Sequence, residues 1–484
     1  MLFSSIRYLV FLTITVLLYY LIPHRFRLIL LLASSFYFYA SWNPRSIIWL
    51  LIITAASFIA GFLLSRTEDG RKRKMITVIS AGGIISILLV FKYLSFFLKQ
   101  FFSVADIMGI TSLSALKSSA DSLSFAAPIG ISFYTFMALS YVFDVSRRKI
   151  TPSGNIGHYT FSIAFFPHLL EGPIDRPGDL LQQIAQKHNF DYDSFCHGLA
   201  LFLFGAFKKV VIADRLALLV DTVFNNVNDY TGQAFWVASV FYTFQIYCDF
   251  SGYTDMALGS AELLGFKLTE NFKRPYLATS ISDFWRRWHI SLSRWFRDYI
   301  YIPLGGNRCS ETRWAINVLV VFLISGLWHG ASWTFIFWGL FHGLCQVIGK
   351  YKSRISSRIF HNETLPLKIF RILVTFMIVN ILWVLFRANS FHDFLVICKR
   401  SFSLSPDFSI FKLGAGKGDV LLSLLLIAFV ILTDVISELK GGYRFLQGFP
   451  VIVRRGLYMI CIFTILLFGI YGSLSADSFI YFTF

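Results

Sequence analysis

The chain reads as an all-α polytopic membrane protein, with about 10–12 transmembrane helices plus re-entrant and interfacial helices. Three observations predict this. Of the 484 residues, 56% are hydrophobic, where a soluble domain is usually about 45–50% apolar. Apolar runs approaching the roughly 20 residues of a membrane span recur from end to end. The net charge of +17 is carried largely by basic residues in short loops between those runs, the pattern of cytoplasmic loops under the positive-inside rule.

In order, the runs cover 3–22, 26–41, 46–65, 75–101, 124–145, 198–220, 233–250, 314–328, 332–349, 369–386, 418–436 and 456–474. The first is longer than the apolar core of a signal peptide, and no A-x-A-like cleavage site follows it, so it is expected to stay as a helix. The basic loops lie at 24–27, 66–74, 147–149, 352–358 and 399–400. Placing 66–74 and 147–149 in the cytoplasm places 24–27 there too and leaves the N-terminus extracytoplasmic. The charge is therefore accounted for by the membrane, with lipid as the surrounding partner and no role for nucleic acid. Six cysteines (196, 248, 309, 345, 398, 461) are scattered without a C-x-x-C pair, so neither a disulfide framework nor a metal site is expected.

No internal repeat or low-complexity linker divides the chain, and 1–484 is expected to be one domain, with its core motifs in 240–350. Two polar breaks interrupt the apolar pattern. Residues 102–122 are mixed and polar, and the topology puts them outside. Residues 167–197 include Pro167, Pro173 and Pro177, which prevent a regular helix there; 156–180 is expected to dip irregularly into the membrane before a cytoplasmic loop.

Segment 283–303 differs from the spans. Trp285, Trp288, Leu292, Trp295, Tyr299 and Ile302 recur at spacings of three and four, with Arg286, Arg287, Arg294 and Arg297 opposite, which predicts one amphipathic helix in the interface. His289 falls at the edge of that stripe, either as packing or as chemistry. Just upstream, Tyr247-Cys-Asp-Phe-Ser-Gly-Tyr-Thr-Asp255 ends an apolar run with two carboxylates. Carboxylates beside lipid need partners, and the arginines of 283–297 are the nearest in sequence. Asp249 and Asp255 are accordingly expected to pin the interfacial helix, or else to orient a catalytic group.

Ser325-Gly-Leu-Trp-His-Gly-Ala-Ser-Trp333 places His329 between two apolar runs. An ionisable group at that depth is a functional candidate by default; a hydrogen-bonded core histidine is the plain alternative. Glycines 326 and 330 let the backbone break or approach closely around it. His342 stands thirteen residues on, about 20 Å along a straight helix, too far to cooperate directly unless the helix breaks, and is expected to pack or to line a tunnel. His24, His158, His361 and His392 sit in loops or at span ends, and His188-x-x-x-x-Asp193 lies in a polar loop with no apolar framing.

These motifs, with Asn271-Phe-Lys-Arg-Pro-Tyr276, the stretch 280–306, Ala40-Ser-Trp-Asn-Pro44, Pro128-Ile-Gly-Ile-Ser-Phe-Tyr-Thr-Phe136, Glu171-Gly-Pro-Ile174, Phe386-Arg-Ala388 and the aromatic end 479–484, resemble the membrane-bound O-acyltransferase (MBOAT) superfamily. Within it they are similar to the bacterial branch that contains the alginate O-acetyltransferase membrane component and the D-alanyl transfer protein of teichoic acid synthesis. Two positions depart from many relatives, Met137 and His168, where glutamine is more usual. The resemblance implies an MBOAT-like fold, with His329 as the catalytic histidine and His289 as the second histidine position. Trp328, Trp285, Asp249 and Tyr253 are candidate substrate-binding residues; Asp255, Arg286 and Arg287 are candidate structural support.

Acyl transfer to an alcohol needs a base for the attacking hydroxyl and a donor for the developing oxyanion, roles suited to His329 and His289 respectively. No G-x-S-x-G elbow supports a serine nucleophile. The expected function is passage of a short acyl group, most simply acetyl, to an extracytoplasmic polysaccharide. The resemblance implies a cytoplasmic donor, acetyl-CoA or an acylated carrier, and an extracytoplasmic SGNH-type acetyltransferase partner; no cofactor is expected to be held. The alternatives are a lipid or protein O-acyltransferase and a proton-coupled transporter, the latter predicting paired broken helices in two halves.

Overall fold

The computed structural model describes residues 1–109, 127–359, 364–405, 408–441 and 449–471. Residues 110–122 of the first polar break, His361 and the aromatic end 479–484 lie outside these. The helices are α1 (Ile6–Leu21), α2 (His24–Ala40), α3 (Ile47–Ser65), α4 (Gly70–Ile107), α5 (Ile131–Ser146), α6 (Ile156–Ala164), α7 (Pro177–Ile184), α8 (Tyr192–Phe207) and α9 (Asp214–Asn225). They continue as α10 (Gly232–Leu263), α11 (Ile281–Arg287), α12 (Ile290–Phe296), α13 (Glu311–His329), α14 (Trp333–Ile359), α15 (Leu365–Arg387), α16 (Phe391–Arg400), α17 (Lys417–Lys440) and α18 (Val451–Phe468). The protein is an all-α polytopic membrane protein. Among the described residues seven helical stretches are long and apolar enough to cross a membrane, and α1 and α5 are shorter apolar helices. Polar side chains begin several of them in the expected way, Ser5, Asp69 and Ser310 each accepting from a first-turn N–H.

Membrane helices that must approach closely do so at small residues. A Cβ on Gly205 would lie 2.6 Å from the Gly252 carbonyl oxygen, and one on Gly259 would lie 2.5 Å from that of Gly198, so α8 and α10 cross backbone to backbone. The hairpin of α13 and α14 is tighter still: a Cβ on Gly339 would meet the Phe322 carbonyl oxygen at 2.2 Å and the Gly326 Cα at 3.1 Å. Neither neighbour is a side chain that can swing away. Gly339→Val is therefore expected to cost about 1–3 kcal/mol or more, read as a lowered thermal midpoint of the solubilised protein.

Three of the basic loops share a face. Arg73 donates to the carbonyls of Val145 and Ser146 at 2.9 and 3.0 Å, Arg147 donates to that of Asp298 at 2.9 Å, and Gly157, just beyond the 147–149 loop, lies against Leu28. Loops 24–27, 66–74 and 147–149 thus sit together, as the charge pattern predicts.

Two sequence expectations fail locally. Segment 283–303 is not one interfacial helix: it breaks at Trp288 and His289 into α11 and α12, then passes into a wider π turn over Arg297–Tyr301. Its aromatic face is buried on both sides of the break except at Ile302, 56% exposed. The dip at 156–180 is irregular only between Phe165 and Arg176, and Phe165 to Asp175 are all buried. Pro177 opens α7 at its first position, where its missing N–H has no helical partner to lose.

Candidate active site

His329 is the last residue of α13, and Gly330, extended at φ −174°, ends the helix. A Cβ at Gly330 would lie 2.3 Å from the Phe335 ring, so the ring of the next helix closes over this glycine. The final carbonyls of α13 have no helical donors, and α4 supplies them. Tyr93 donates to Leu327 at 2.7 Å, and the Lys92 ammonium donates to Trp328 and, at 3.3 Å, to His329. A cation at a helix C-terminus also suits the helix dipole. Lys92 and Tyr93 thereby hold the backbone that carries the imidazole. Lys92→Met is expected to lower both thermal stability, by about 1–3 kcal/mol, and acyl transfer. Equal transfer in this variant and wild type would remove that positioning role.

His289 is fully buried and adopts the left-handed region at φ 42°, a conformation costing a non-glycine residue of order 1–3 kcal/mol. Asn271 holds the two residues that follow His289: its carbonyl accepts from Ile290 N–H at 3.0 Å and its side-chain oxygen accepts from Ser291 N–H at 3.1 Å. Lys273 N–H, bonded to the Arg287 carbonyl at 2.9 Å, fixes the end of α11 just before the break. The clamp comes from the chain segment preceding α11, which is why helical periodicity alone misses the break.

The two histidines meet across one ring. The Trp328 indole lies 5.0 Å from His329 and 5.9 Å from His289, edge-on to both. His329 also lies against Trp338 (5.0 Å) and Phe386 (5.4 Å), and His289 against Phe250 (4.7 Å). Trp328 belongs to one cluster of buried apolar residues, which includes Phe136 and Trp295; Trp338, Phe386 and Phe250 belong to a second. The imidazoles sit at the seam between the two. A cavity of about 120 Å³ reaches His329 and is lined by Lys92, Gly130, Phe133, Glu171 and Trp328 among others. It lies at the start of α5, whose far end, 16 residues away and about 24 Å along a helix, carries the basic 147–149 loop.

The remaining predicted residues are distributed differently. Trp285 is beneath the site, donating from Nε1 to His342 Nδ1 at 3.3 Å. His342 itself is brought back by the α13–α14 turn, and Trp338 touches both His329 and, at 4.8 Å, His342. The straight-helix separation does not apply, because the chain reverses at 330–332. Tyr253 is stacked on Phe3 at 4.6 Å, with its hydroxyl at the Glu171 backbone. Among the described residues the ion pairs of Asp249 and Asp255 are with lysines, and not with the 283–297 arginines nearest in sequence. Asp249 accepts from Lys209 at 2.7 Å and Asp255 pairs with Lys208 at 2.5 Å. These lysines open a buried π turn, Lys208–Ala213, that the α8–α10 crossing lays along α10. Arg287 instead joins Asp283 and Glu438, tying α11 to α17, while Arg286 is largely exposed and only approaches Asp283. Lys92, Glu171 and Asn271 were not singled out for the site. The available signal for Lys92 was a charge inside the apolar run 75–101.

The fold and the site define a multi-pass membrane protein with a buried pair of histidines around a shared tryptophan. The sequence model of MBOAT, membrane-bound O-acyltransferase family, matches residues 34–391, and the chain belongs to that family. It is an O-acyltransferase. Among its relatives, the protein named "Probable alginate O-acetylase AlgI" of Pseudomonas aeruginosa is 37% identical over 89% of this chain and 81% of the relative. The "Peptidoglycan O-acetyltransferase" of Helicobacter pylori is 35% identical over 76% of this chain and 72% of its own length. A "Teichoic acid D-alanyltransferase" of Bacillus subtilis is 26% identical over 54% and 69%.

A buried neutral imidazole can accept the proton of an attacking hydroxyl, and a second can donate to the oxygen that gains charge. Trp328, Trp338 and Phe386 wall the His329 ring with apolar surface.

Proposed function

We propose that the protein moves acetyl from a cytoplasmic thioester, acetyl-CoA or an acylated carrier, to a hydroxyl presented on the extracytoplasmic side, in the service of polysaccharide O-acetylation. In this reading His329 takes the hydroxyl proton as the oxygen attacks the acyl carbonyl, His289 donates to the oxyanion, and the thiolate leaves with the proton. The observation that carries it is the placement of the His329 cavity at the opposite end of α5 from the basic loops. Those loops mark the cytoplasmic side by the positive-inside rule, which puts the N-terminus outside a bacterial inner membrane. The two O-acetyl-transferring relatives above, nearer in identity than the D-alanyl one, favour acetyl over an aminoacyl group.

The cavity also bears on the partner. About 120 Å³ is close to the engineered cavities that admit one benzene, so it takes a single hydroxyl-bearing group and not a polymer strand. A separate extracytoplasmic acetyltransferase of the SGNH type would then complete delivery. The test is the ester-linked acetyl content of exopolysaccharide and cell wall in wild type and a deletion strain. Loss from one polymer identifies the final acceptor; unchanged acetylation in the deletion overturns the polysaccharide reading.

A further inference from the structure

Glu171 is 2% exposed, its Oε1 has no hydrogen-bond partner among the described residues, and it lines the same cavity as His329. Its position is built, not incidental. Gly172 is crossed so closely that a Cβ would lie 2.3 Å from the His168 Cα, and a Cβ on Gly130 (φ +77°) would lie 2.8 Å from the Leu169 carbonyl oxygen. The loop therefore lies directly on the start of α5. On its other side Ile174 N–H donates to Ser291 Oγ at 3.0 Å, and Asp175 accepts from Thr269 N–H at 2.9 Å. Ser291 is two residues from His289, and Asn271 holds the backbone of Ser291 and of Ile290, which follows His289 directly. One set of bonds thus fixes the Glu171 loop and the His289 turn relative to each other.

A buried carboxyl oxygen facing a cavity with no protein donor or acceptor is costly unless something entering the cavity meets it. The other polar groups on the wall are already directed elsewhere in part: the Lys92 ammonium reaches the Trp328 and His329 carbonyls. Lys209, a buried cation of the Lys208–Ala213 turn, is bonded to Asp249 and Asp214. In such surroundings the carboxylic acid, with one O–H to donate, costs less than the carboxylate. An alcohol in the cavity has one proton to give and lone pairs to receive with. If its proton points to His329, its oxygen is left to accept.

We propose that Glu171 is the acceptor-binding group of this site, donating as a neutral acid to the oxygen of the incoming hydroxyl while that hydroxyl's proton points to His329. The proposal rests on the acyl-transfer reading above and extends it to the acceptor. Glutamine keeps the shape and an N–H donor; leucine keeps approximate bulk and no donor. Ester-linked acetyl of the envelope polymer is measured in cells carrying wild type, Glu171→Gln, Glu171→Leu or His329→Ala, at matched membrane levels. Thermal midpoints of the purified variants are checked against wild type. The expected result is a loss of about 10–100-fold in Glu171→Leu and recovery to within about threefold of wild type in Glu171→Gln. Acetylation near wild type in Glu171→Leu overturns the proposal. So does failure of Glu171→Gln alongside Glu171→Leu at wild-type stability, which would require an ionised carboxylate. Full acetylation in His329→Ala instead returns His329 to packing and removes only its role as base, and unchanged acetylation in a deletion strain strikes the acyl-transfer reading itself, so the failures are separable.

Discussion

His329→Ala is expected to lower acyl transfer by about 10²–10⁴-fold, the usual contribution of a positioned general base, with the protein still inserted and folded. The substitution removes a ring held among Trp328, Trp338 and Phe386, but leaves the backbone bonds from Lys92 and Tyr93 to α13 in place. The check is ester-linked acetyl in cells, together with the thermal midpoint of the purified variant. Near-wild-type transfer would return His329 to packing. A collapsed midpoint would be answered with His329→Gln, which fills more of the site and still lacks the basic imidazole.

Lys209→Met is expected to be the most destabilising single change in the buried polar network. Lys209 is 2% exposed and pairs with Asp249 at 2.7 Å and Asp214 at 2.8 Å. Removing the cation takes the counter-charge from two buried carboxylates, and breaking a buried pair by deleting one partner typically costs about 3–5 kcal/mol. The readout is the thermal midpoint and the yield of monodisperse protein. Adding Asp249→Asn and Asp214→Asn to Lys209→Met is expected to recover part of the loss, because no unpaired charge is then left. A triple variant as unstable as Lys209→Met would show that the lysine acts through packing and not through charge.

The legibility of this chain follows the range of the interactions involved. His329 stands out because an ionisable ring between two apolar runs is visible without knowing any contact. The apolar runs and basic loops are equally local, and they predict the helices and the shared face of 24–27, 66–74 and 147–149. Pairing is not local. Reading the arginines of 283–297 as partners of Asp249 and Asp255 chose neighbours in sequence. The actual partners, Lys208 and Lys209, are placed by helices that cross where Gly205 meets Gly252. His342 turns on the same point: it is a packed residue, as its apolar run suggests, but its distance from His329 depends on the break at Gly330, which a straight-helix figure leaves out.

The sequence by itself determined that this is a helical membrane protein and that His329 and His289 are its unusual residues, because solvent preference and local periodicity are properties of the residues themselves. Only the tertiary structure decided that Trp328 lies between the two imidazoles, that Asn271 holds His289 in a left-handed turn, and that Lys92 and Glu171 reach the His329 cavity. Those placements depend on where separate helices cross. The crossings are set by how closely glycines let two backbones approach, and no single stretch of sequence contains both sides of that contact.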